Sequence, residues 1–315
     1  MRLGSLFLAL MLLLAAPLAA QESKPTLDAA GDHIVAGPAQ DVDIITPHIT
    51  DSHHLELPPF LGGEVELPRW APFHIGGLEV DMSPTKHVVM LLIVSLLCIG
   101  VMIPSAASNR KSTENHGHAK GFGGVIESIV LYIRNEVILP NVGHHGEGYV
   151  AFGLTLFFFI LFANLLGLLP YGSTATGNIS VTATLALITF VVVEVAGIKA
   201  QGVGYLKTIV YWPSDQPFVM KFFMTWIMTP VEIIGKFTKP FALAIRLFAN
   251  MTAGHVVLLA LISLIFTFGS YWIALAPLTM GVAISLLELF VAFLQAFIFT
   301  LLASVFIGLI REGAH

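Results

Sequence analysis

The sequence is poor in charged residues and in cysteine. Of its 315 residues, 11% are Asp, Glu, Lys or Arg and 56% are hydrophobic, which is far from the composition of a soluble globular domain. The single cysteine, Cys98, lies inside an apolar run, so a disulfide framework and a thiolate metal site are both excluded. The histidines of the first 85 residues match no standard spacing of zinc ligands. We therefore expect a membrane protein without a metal site or a bound cofactor.

The first 85 residues differ in composition from the rest of the chain. Residues 1–20 combine a basic start, a short apolar core and small residues before a polar stretch, which is typical of a cleaved secretory signal peptide. Residues 21–85 are acidic and rich in proline and glycine, so their first half is not expected to form a packed core. Alternating residues between Glu64 and Val80 predict one or two short strands or a hairpin. We expect 1–20 to be removed, 21–85 to form an acidic periplasmic segment and 86–315 to form a membrane domain.

Long apolar runs in the membrane domain predict helices that cross a bilayer. The first three predicted crossings are 87–104, 149–169 and 179–198, and Pro104 is expected to end the first of them. A further segment, 122–139, has apolar residues at helical spacing with charged residues between them. This pattern predicts an amphipathic helix that lies on the cytoplasmic face of the membrane.

Basic residues follow the first and the third predicted crossing. They are Arg110, Lys111 and Lys120 after the first, and Lys199 and Lys207 after the third. Because Lys and Arg concentrate on the cytoplasmic side of membrane helices, the acidic segment is predicted to lie outside. After five crossings, the carboxyl terminus then lies in the cytoplasm. The signal peptide independently predicts the same orientation.

The last third of the chain predicts a long helical hairpin. Thr229 as N-cap, Pro230 at the first helical position and Glu232 three residues after the cap indicate a helix start. The helical pattern runs over 230–268 and, after a break, over 277–310. These arms would be about 58 and 51 Å long, against a hydrocarbon core of about 30 Å. The predicted fold is therefore an all-α polytopic membrane protein with five crossings, an amphipathic helix and a final, strongly tilted hairpin.

The first arm of this hairpin carries an arginine within its apolar stretch. Arg246 stays protonated in any protein setting, and a charge at the bilayer centre costs about 3 kcal/mol on insertion scales. An arginine near a helix end can reach the interface with its side chain, but Arg246 lies too far from either end of its run. We therefore interpret it as a functional residue. A polar stripe within about 80° of one another on the helix contains Arg246 together with Glu232, Lys236, Lys239 and Asn250.

Three more polar residues occupy the interior of the hairpin. His255 lies about 180° from Arg246 around the first arm, and Glu288 and Gln295 share one face of the second arm. Because buried polar groups in lipid need partners, His255 and Glu288 are expected to pair through a water-filled cavity. The alternative is an interhelical hydrogen bond without a role in transport. For Glu232, the alternative is that it only completes a capping box.

Four stretches of the sequence together resemble the a subunit of the membrane sector of rotary ATP synthases: AIRLFANMTAGH, LQAFIFTLL, NLLGLLP and TPVEIIGKFTKP. The resemblance covers about residues 86–310. It implies that Arg246 is the essential arginine beside the ring of c subunits. Asn250 then matches the polar residue one turn further along, and Gln295 matches the glutamine of the last helix.

The resemblance also implies two half-channels. Glu232 matches a carboxylate of the cytoplasmic half-channel. In the outer half-channel, His255 and Glu288 stand where the enterobacterial pattern has a glutamate and a histidine, so an acid–imidazole pair is kept with its partners exchanged.

The implied function is that of a proton-translocating stator subunit of the bacterial inner membrane, without a catalytic site of its own. Its implied partners are the ring of c subunits, the peripheral-stalk b subunits, the remaining ATP synthase subunits and membrane lipid. Two other classes stay open: a secondary transporter or ion channel that acts without a rotor, and a structural membrane anchor. A secondary transporter usually has internal repeats, and the sequence contains none.

Overall fold

The structure is a computed structural model, and the residues it describes are 51–56, 63–70, 73–75, 78–81, 83–116, 121–144, 146–169, 172–208, 217–268 and 271–312. The expected signal peptide and the acidic segment up to residue 50 lie outside the described residues.

Two small antiparallel hairpins precede the membrane helices. Strand β1 (His54–Glu56) pairs with β2 (Glu64–Glu66), and β3 (Phe73–Ile75) pairs with β4 (Leu78–Val80). The strands predicted between Glu64 and Val80 are therefore present, and the first hairpin also uses a strand upstream of that stretch.

The rest of the described chain is helical. Its helices are α1 (Lys86–His116), α2 (Gly121–Tyr132), α3 (Leu139–Val142), α4 (Glu147–Gly167), α5 (Ile179–Gln201), α6 (Phe218–Phe268) and α7 (Tyr271–Glu312). A π-helical segment, Ile133–Ile138, joins α2 to α3. Among the described helices, five are long and apolar enough to cross a membrane, namely α1, α4, α5, α6 and α7. The predicted five-crossing polytopic fold is thus confirmed.

Three prolines that were expected to mark helix boundaries lie inside helices. Helix α1 continues past Pro104, and α6 and α7 begin well before Pro230 and Pro277. Proline is tolerated inside membrane helices because neighbouring helices and side chains satisfy the carbonyl that it leaves free. Thr229 is therefore not a helix N-cap, and the capping-box explanation of Glu232 is wrong. The two hairpin arms, with 51 and 42 residues, are about 77 and 63 Å long, which is longer than predicted.

The core of the bundle lies around α4. Three of its phenylalanines, Phe152, Phe157 and Phe159, are almost completely buried. Helix α6 buries far less of its surface: Leu243, Leu247 and Met251 face the bundle, whereas most of its other large apolar side chains are exposed. The bundle thus covers one face of the long hairpin and leaves the other face open.

The end of α7 is fixed to the segment that follows α3. The Arg311 guanidinium donates from Nη1 to the carbonyl of Val142 (2.9 Å) and from Nη2 to the carbonyl of His144 (2.7 Å). It also lies 5.3 Å from the centre of the Tyr149 ring. A cation that donates to the last carbonyls of a helix stabilises its end, so the last membrane helix and the surface helices are held together.

Five crossings place the β hairpins and the end of α7 on opposite sides of the membrane. In a Cys98→Ala background, a cysteine at Glu66, whose side chain is 85% exposed, and one at the exposed Glu312 should react with an impermeant thiol reagent from opposite faces. Labelling is measured on right-side-out and inverted vesicles. The unmodified chain is the control, since its only cysteine is buried and should stay unlabelled. Labelling of both positions from one face would contradict an odd number of crossings.

Candidate functional site on the long hairpin

The face of α6 that carries Arg246 is not covered by any other described part of the chain. Arg246 and Asn250, one turn apart, are both exposed. Leu243 and Leu247 on the neighbouring face are buried against the bundle. Helical spacing therefore directs the two polar side chains away from the protein interior, as expected for i, i+4 neighbours.

Arg246 has no counter-charge within the described residues. None of their side chains forms an ion pair or a hydrogen bond with it. Other α6 side chains close to it in sequence, Phe241 and Ile245, are also exposed and apolar. An arginine on an apolar, membrane-embedded surface is costly unless an anion or water approaches it. The sequence-based expectation that its partner belongs to another chain therefore stays a prediction.

Glu288 and His255 lie on the contact between the two hairpin arms, and both are half-buried. The carboxyl group of Glu288 lies directly against the backbone of Gly254, the residue before His255, and a methyl group at Gly254 would overlap Oε1. Glycine at this position is thus what allows the carboxylate to reach the first arm. Glu288 itself forms no ion pair or hydrogen bond with another described side chain, so its pairing with His255 stays a prediction.

Gln295 on α7 and Asn164 on α4 are both buried in the interior of the bundle. Gln295 is buried, two turns beyond Glu288 on α7. The Asn164 amide on α4 donates to the carbonyl of Ala292 (3.3 Å), between these two residues. Its Oδ1 accepts from the hydroxyl of Thr176 (2.7 Å). Asn164 was recognised in the sequence only as part of a motif, and its contact with α7 was not predicted.

A second polar region lies towards the other end of α6. A cavity of about 100 Å³ is lined by two acids and two bases, Glu194, Glu232, Lys236 and Lys239, together with apolar residues of α5, α6 and α7. This volume holds several water molecules, since one needs roughly 10–15 Å³. Along α6, Glu232 lies about 21 Å before Arg246, and His255 about 13 Å after it. The structure therefore separates Glu232 from the His255–Glu288 region and places Arg246 between them.

The cavity contains an ion pair that sequence reasoning did not predict. Lys236 Nζ lies 3.5 Å from Glu194 Oε2, donates to the hydroxyl of Tyr205 (2.8 Å) and lies 3.4 Å from the Thr208 hydroxyl. The side chains of Lys236 and Glu194 are only 13% and 20% exposed. Both residues were noted in the sequence, but nothing in their spacing shows that α5 brings its carboxylate to this turn of α6.

Comparison with known proteins gives a consistent result. The family model described as ATP synthase A chain matches residues 88–308. The chain is 47% identical to ATP synthase subunit a 2 of Chlorobaculum tepidum over 273 residues, which are 85% of this chain and 72% of the relative. It is 46% identical to ATP synthase subunit a of Pelodictyon phaeoclathratiforme over 298 residues, covering 94% and 83% of the two chains. A subunit a of Anaeromyxobacter sp. is 41% identical over 297 residues, with 84% and 69% covered.

Glu194 and Lys236 should stabilise the fold through their mutual interaction and not as two independent charges. Lys236→Met leaves a largely buried carboxylate without its cation, which lowers the free energy of unfolding by up to about 3 kcal/mol. Glu194→Gln leaves the Lys236 ammonium without its carboxylate and should also destabilise the fold. The double variant removes both charges and should recover most of the loss. Thermal unfolding in detergent can be followed with a thiol-reactive dye, because the buried Cys98 reacts only when the fold opens. Additive losses in the double variant would show that the two side chains do not interact.

Proposed function

Since this chain belongs to the ATP synthase A chain family, and is therefore a membrane-sector subunit that assembles with other ATP synthase subunits, we propose that it is the proton-conducting stator of that sector. In this proposal, protons pass through two aqueous half-channels of this chain to and from carboxylates on a ring of c subunits. The observation that carries the proposal is Arg246, a permanent cation on an exposed apolar surface that has no anion among the described residues.

The rotor carboxylate is the counter-charge that Arg246 lacks. When a protonated carboxyl group on a c subunit arrives opposite Arg246, the guanidinium favours its ionised form and promotes release of its proton. Once the carboxylate is neutralised, its site can move into lipid, where the charged form is costly. Asn250, on the same exposed face, supplies an amide beside this position. The peripheral-stalk b subunits are proposed as further partners.

The outer half-channel is proposed to contain His255 and Glu288, with Gln295 as polar support. This assignment is supported by the position of the Glu288 carboxyl against Gly254, which brings an acid and an imidazole to the same level of the hairpin. Protons that arrive from the periplasm would pass through these groups to the rotor carboxylate. The β hairpins then lie outside the membrane, and residues 1–20 are a signal peptide.

The inner half-channel is proposed to include the cavity lined by Glu232, Glu194, Lys236 and Lys239. Its volume and its four charged side chains suit a site that holds water and passes protons towards the cytoplasm. Arg246 separates this cavity from the outer group, because a fixed cation repels a proton that moves directly between them. One charge that crosses 100 mV carries about 2.3 kcal/mol, so the formation of one ATP requires several protons.

Family membership and the exposed arginine both disfavour the two alternative functions. A secondary transporter surrounds its substrate site with its own helices at the midplane, whereas Arg246 lies on an uncovered surface. A passive anchor would have no need of a cation there. The coupled ion is proposed to be the proton, and the location to be the bacterial inner membrane.

Removing the charge of Arg246 should abolish proton-driven ATP synthesis while the complex still assembles. Arg246→Lys should restore little, because a compact ammonium presents its charge differently from a planar guanidinium. Synthesis is measured in inverted vesicles under an imposed proton gradient, and assembly by co-purification of the other subunits. The control is Arg134→Ala, which removes an arginine from an exposed ion pair and should leave the rate unchanged. Near wild-type synthesis by assembled Arg246→Ala would disprove the stator role.

Exchanging His255 and Glu288 should restore a function that the single replacements lose. His255→Glu puts two acids at one level of the hairpin, and Glu288→His puts two imidazoles there, so each should reduce proton-driven synthesis strongly. The combined exchange returns one acid and one imidazole and should recover a substantial part of the rate, a coupling that a double-mutant cycle measures. An exchange that is no better than the worse single variant would assign both residues to helix packing.

A further inference from the structure

A buried acid–imidazole pair lies at the start of α1, outside the contact between the two hairpin arms. His87 Nδ1 lies 3.0 Å from Oδ1 of Asp51, and the two side chains are only 2% and 3% exposed. The backbone supports this contact: the Lys86 amide donates to the Ser52 carbonyl (2.9 Å), and the His87 amide lies 3.4 Å from Asp51 Oδ1. The segment before β1 is thus docked on the amino-terminal end of the first membrane helix.

The same ring nitrogen of His87 lies near a second group, which is a hydrogen-bond donor instead of an acceptor. The Asn178 amide nitrogen lies 3.3 Å from Nδ1. The orientation of this amide is fixed, because its oxygen accepts from the Ser180 backbone (2.8 Å) and caps α5. An ionised carboxylate only accepts hydrogen bonds, an amide nitrogen only donates them, and a ring nitrogen does one or the other. Protonated Nδ1 therefore bonds to Asp51, whereas deprotonated Nδ1 bonds to Asn178.

Two polar atoms here, one of them on Asp51 itself, have no hydrogen-bond partner among the described residues. They are Oδ2 of Asp51 and Oγ1 of Thr85, and both are buried. A buried oxygen without a partner is costly, and a proton or a water molecule at Asp51 would remove that cost. The pair therefore has the capacity to take up one more proton.

Asn178 connects this pair to the hairpin. Its neighbour Gly177 accepts a hydrogen bond from the Thr252 hydroxyl on α6 (3.3 Å), three residues before His255. The preceding Thr176 bonds to Asn164, which reaches α7 one turn from Glu288. The loop of residues 172–178 thus lies between His87 and the His255–Glu288 region, with polar contacts on both sides.

We propose that His87, held by Asp51, is a proton-transfer residue that loads the outer half-channel; this inference rests on the proposed function. The pair takes one proton from outer water and forms an imidazolium beside a carboxylate. Nδ1 then releases one proton to water on the side of the 172–178 loop, and Asn178 donates to the vacated lone pair. One proton enters and one leaves, so the side chains return to their starting state.

The other titratable groups near this end of α1 are few among the described residues. Lys86 is buried beside His87, and His53 Nδ1 lies 3.2 Å from the Pro84 carbonyl. The hydroxyl and backbone N–H of Ser83 hold the pKa of the Asp81 carboxyl below its usual range, so Asp81 stays ionised where imidazoles titrate. The loop 172–178 carries no titratable side chain. Asp51 and Asn178 are thus the groups within hydrogen-bond distance of the His87 ring, and variants at both positions separate His87 from the other imidazoles.

The test uses the complete ATP synthase in proteoliposomes, with the rate of ATP synthesis measured against the pH of the outer compartment. A potassium diffusion potential keeps the total proton-motive force constant at each pH. Asn178→Asp keeps the cap of α5, since aspartate caps helices equally well, but places a second carboxylate at Nδ1. The midpoint of the profile should rise by about one pH unit, because a second negative charge favours the imidazolium. Asp51→Asn should lower it by a similar amount, and His87→Asn should abolish the titration.

Asp81→Asn is the matched control, because it removes a nearby carboxylate that does not contact His87 and should leave the midpoint unchanged. Proton transfer through His87 would be disproved if assembled Asn178→Asp kept the wild-type midpoint. It would also be disproved if Asn178→Asp and Asp51→Asn shifted the midpoint in the same direction. If either result is found while Arg246→Ala is inactive, only the role of His87 is rejected and the proposed function stands. Synthesis by Arg246→Ala would instead reject the proposed function, whatever the His87 profile.

Discussion

The high cost of an unpaired charge in an apolar environment governs the arrangement of this protein. Arg246 cannot lose its proton, and the bundle offers it no anion among the described residues. Helix α6 nevertheless keeps it on an uncovered face, and we propose that a carboxylate from outside the chain pairs with it. Two buried pairs show a different arrangement: Lys236 lies beside Glu194, and His87 lies beside Asp51. Arg246 differs from these groups in having no such partner within the described part of the chain.

The proposed stator function gives a reason for the length of the hairpin. A stator must present one cation to a moving site and must connect that point to water on both sides of the membrane. Along α6, Glu232, Arg246 and His255 are spaced over about 34 Å, which is comparable to the hydrocarbon thickness. One long helix can therefore carry the inner group, the separating charge and the outer group. The bundle around α4 supports one side of that helix and leaves the other for the proposed rotor.

Much of the fold could be predicted from the sequence because it is encoded locally. Runs of apolar residues gave all five crossings, and helical spacing gave the surface helix α2. The helix boundaries at Pro104, Pro230 and Pro277 were wrong, since the rule that proline ends helices applies in water and weakens in lipid. The pairs Glu194–Lys236 and Asp51–His87 were not predicted, because each joins segments that only the tertiary fold brings together. The carboxylate of Glu288 against Gly254 likewise depends on how α6 and α7 pack.

The most direct measurement is the distance between the Arg246 guanidinium and the nearest carboxylate of a neighbouring subunit in a structure of the assembled membrane sector. A rotor carboxylate within about 4–6 Å, the range in which opposite charges shift each other's ionisation, is the result that the stator function predicts. In that structure, the face of α6 that carries Asn250 should also be covered by the ring. If Arg246 instead faces lipid, with no carboxylate within about a Debye length of 8–10 Å, the central claim is contradicted.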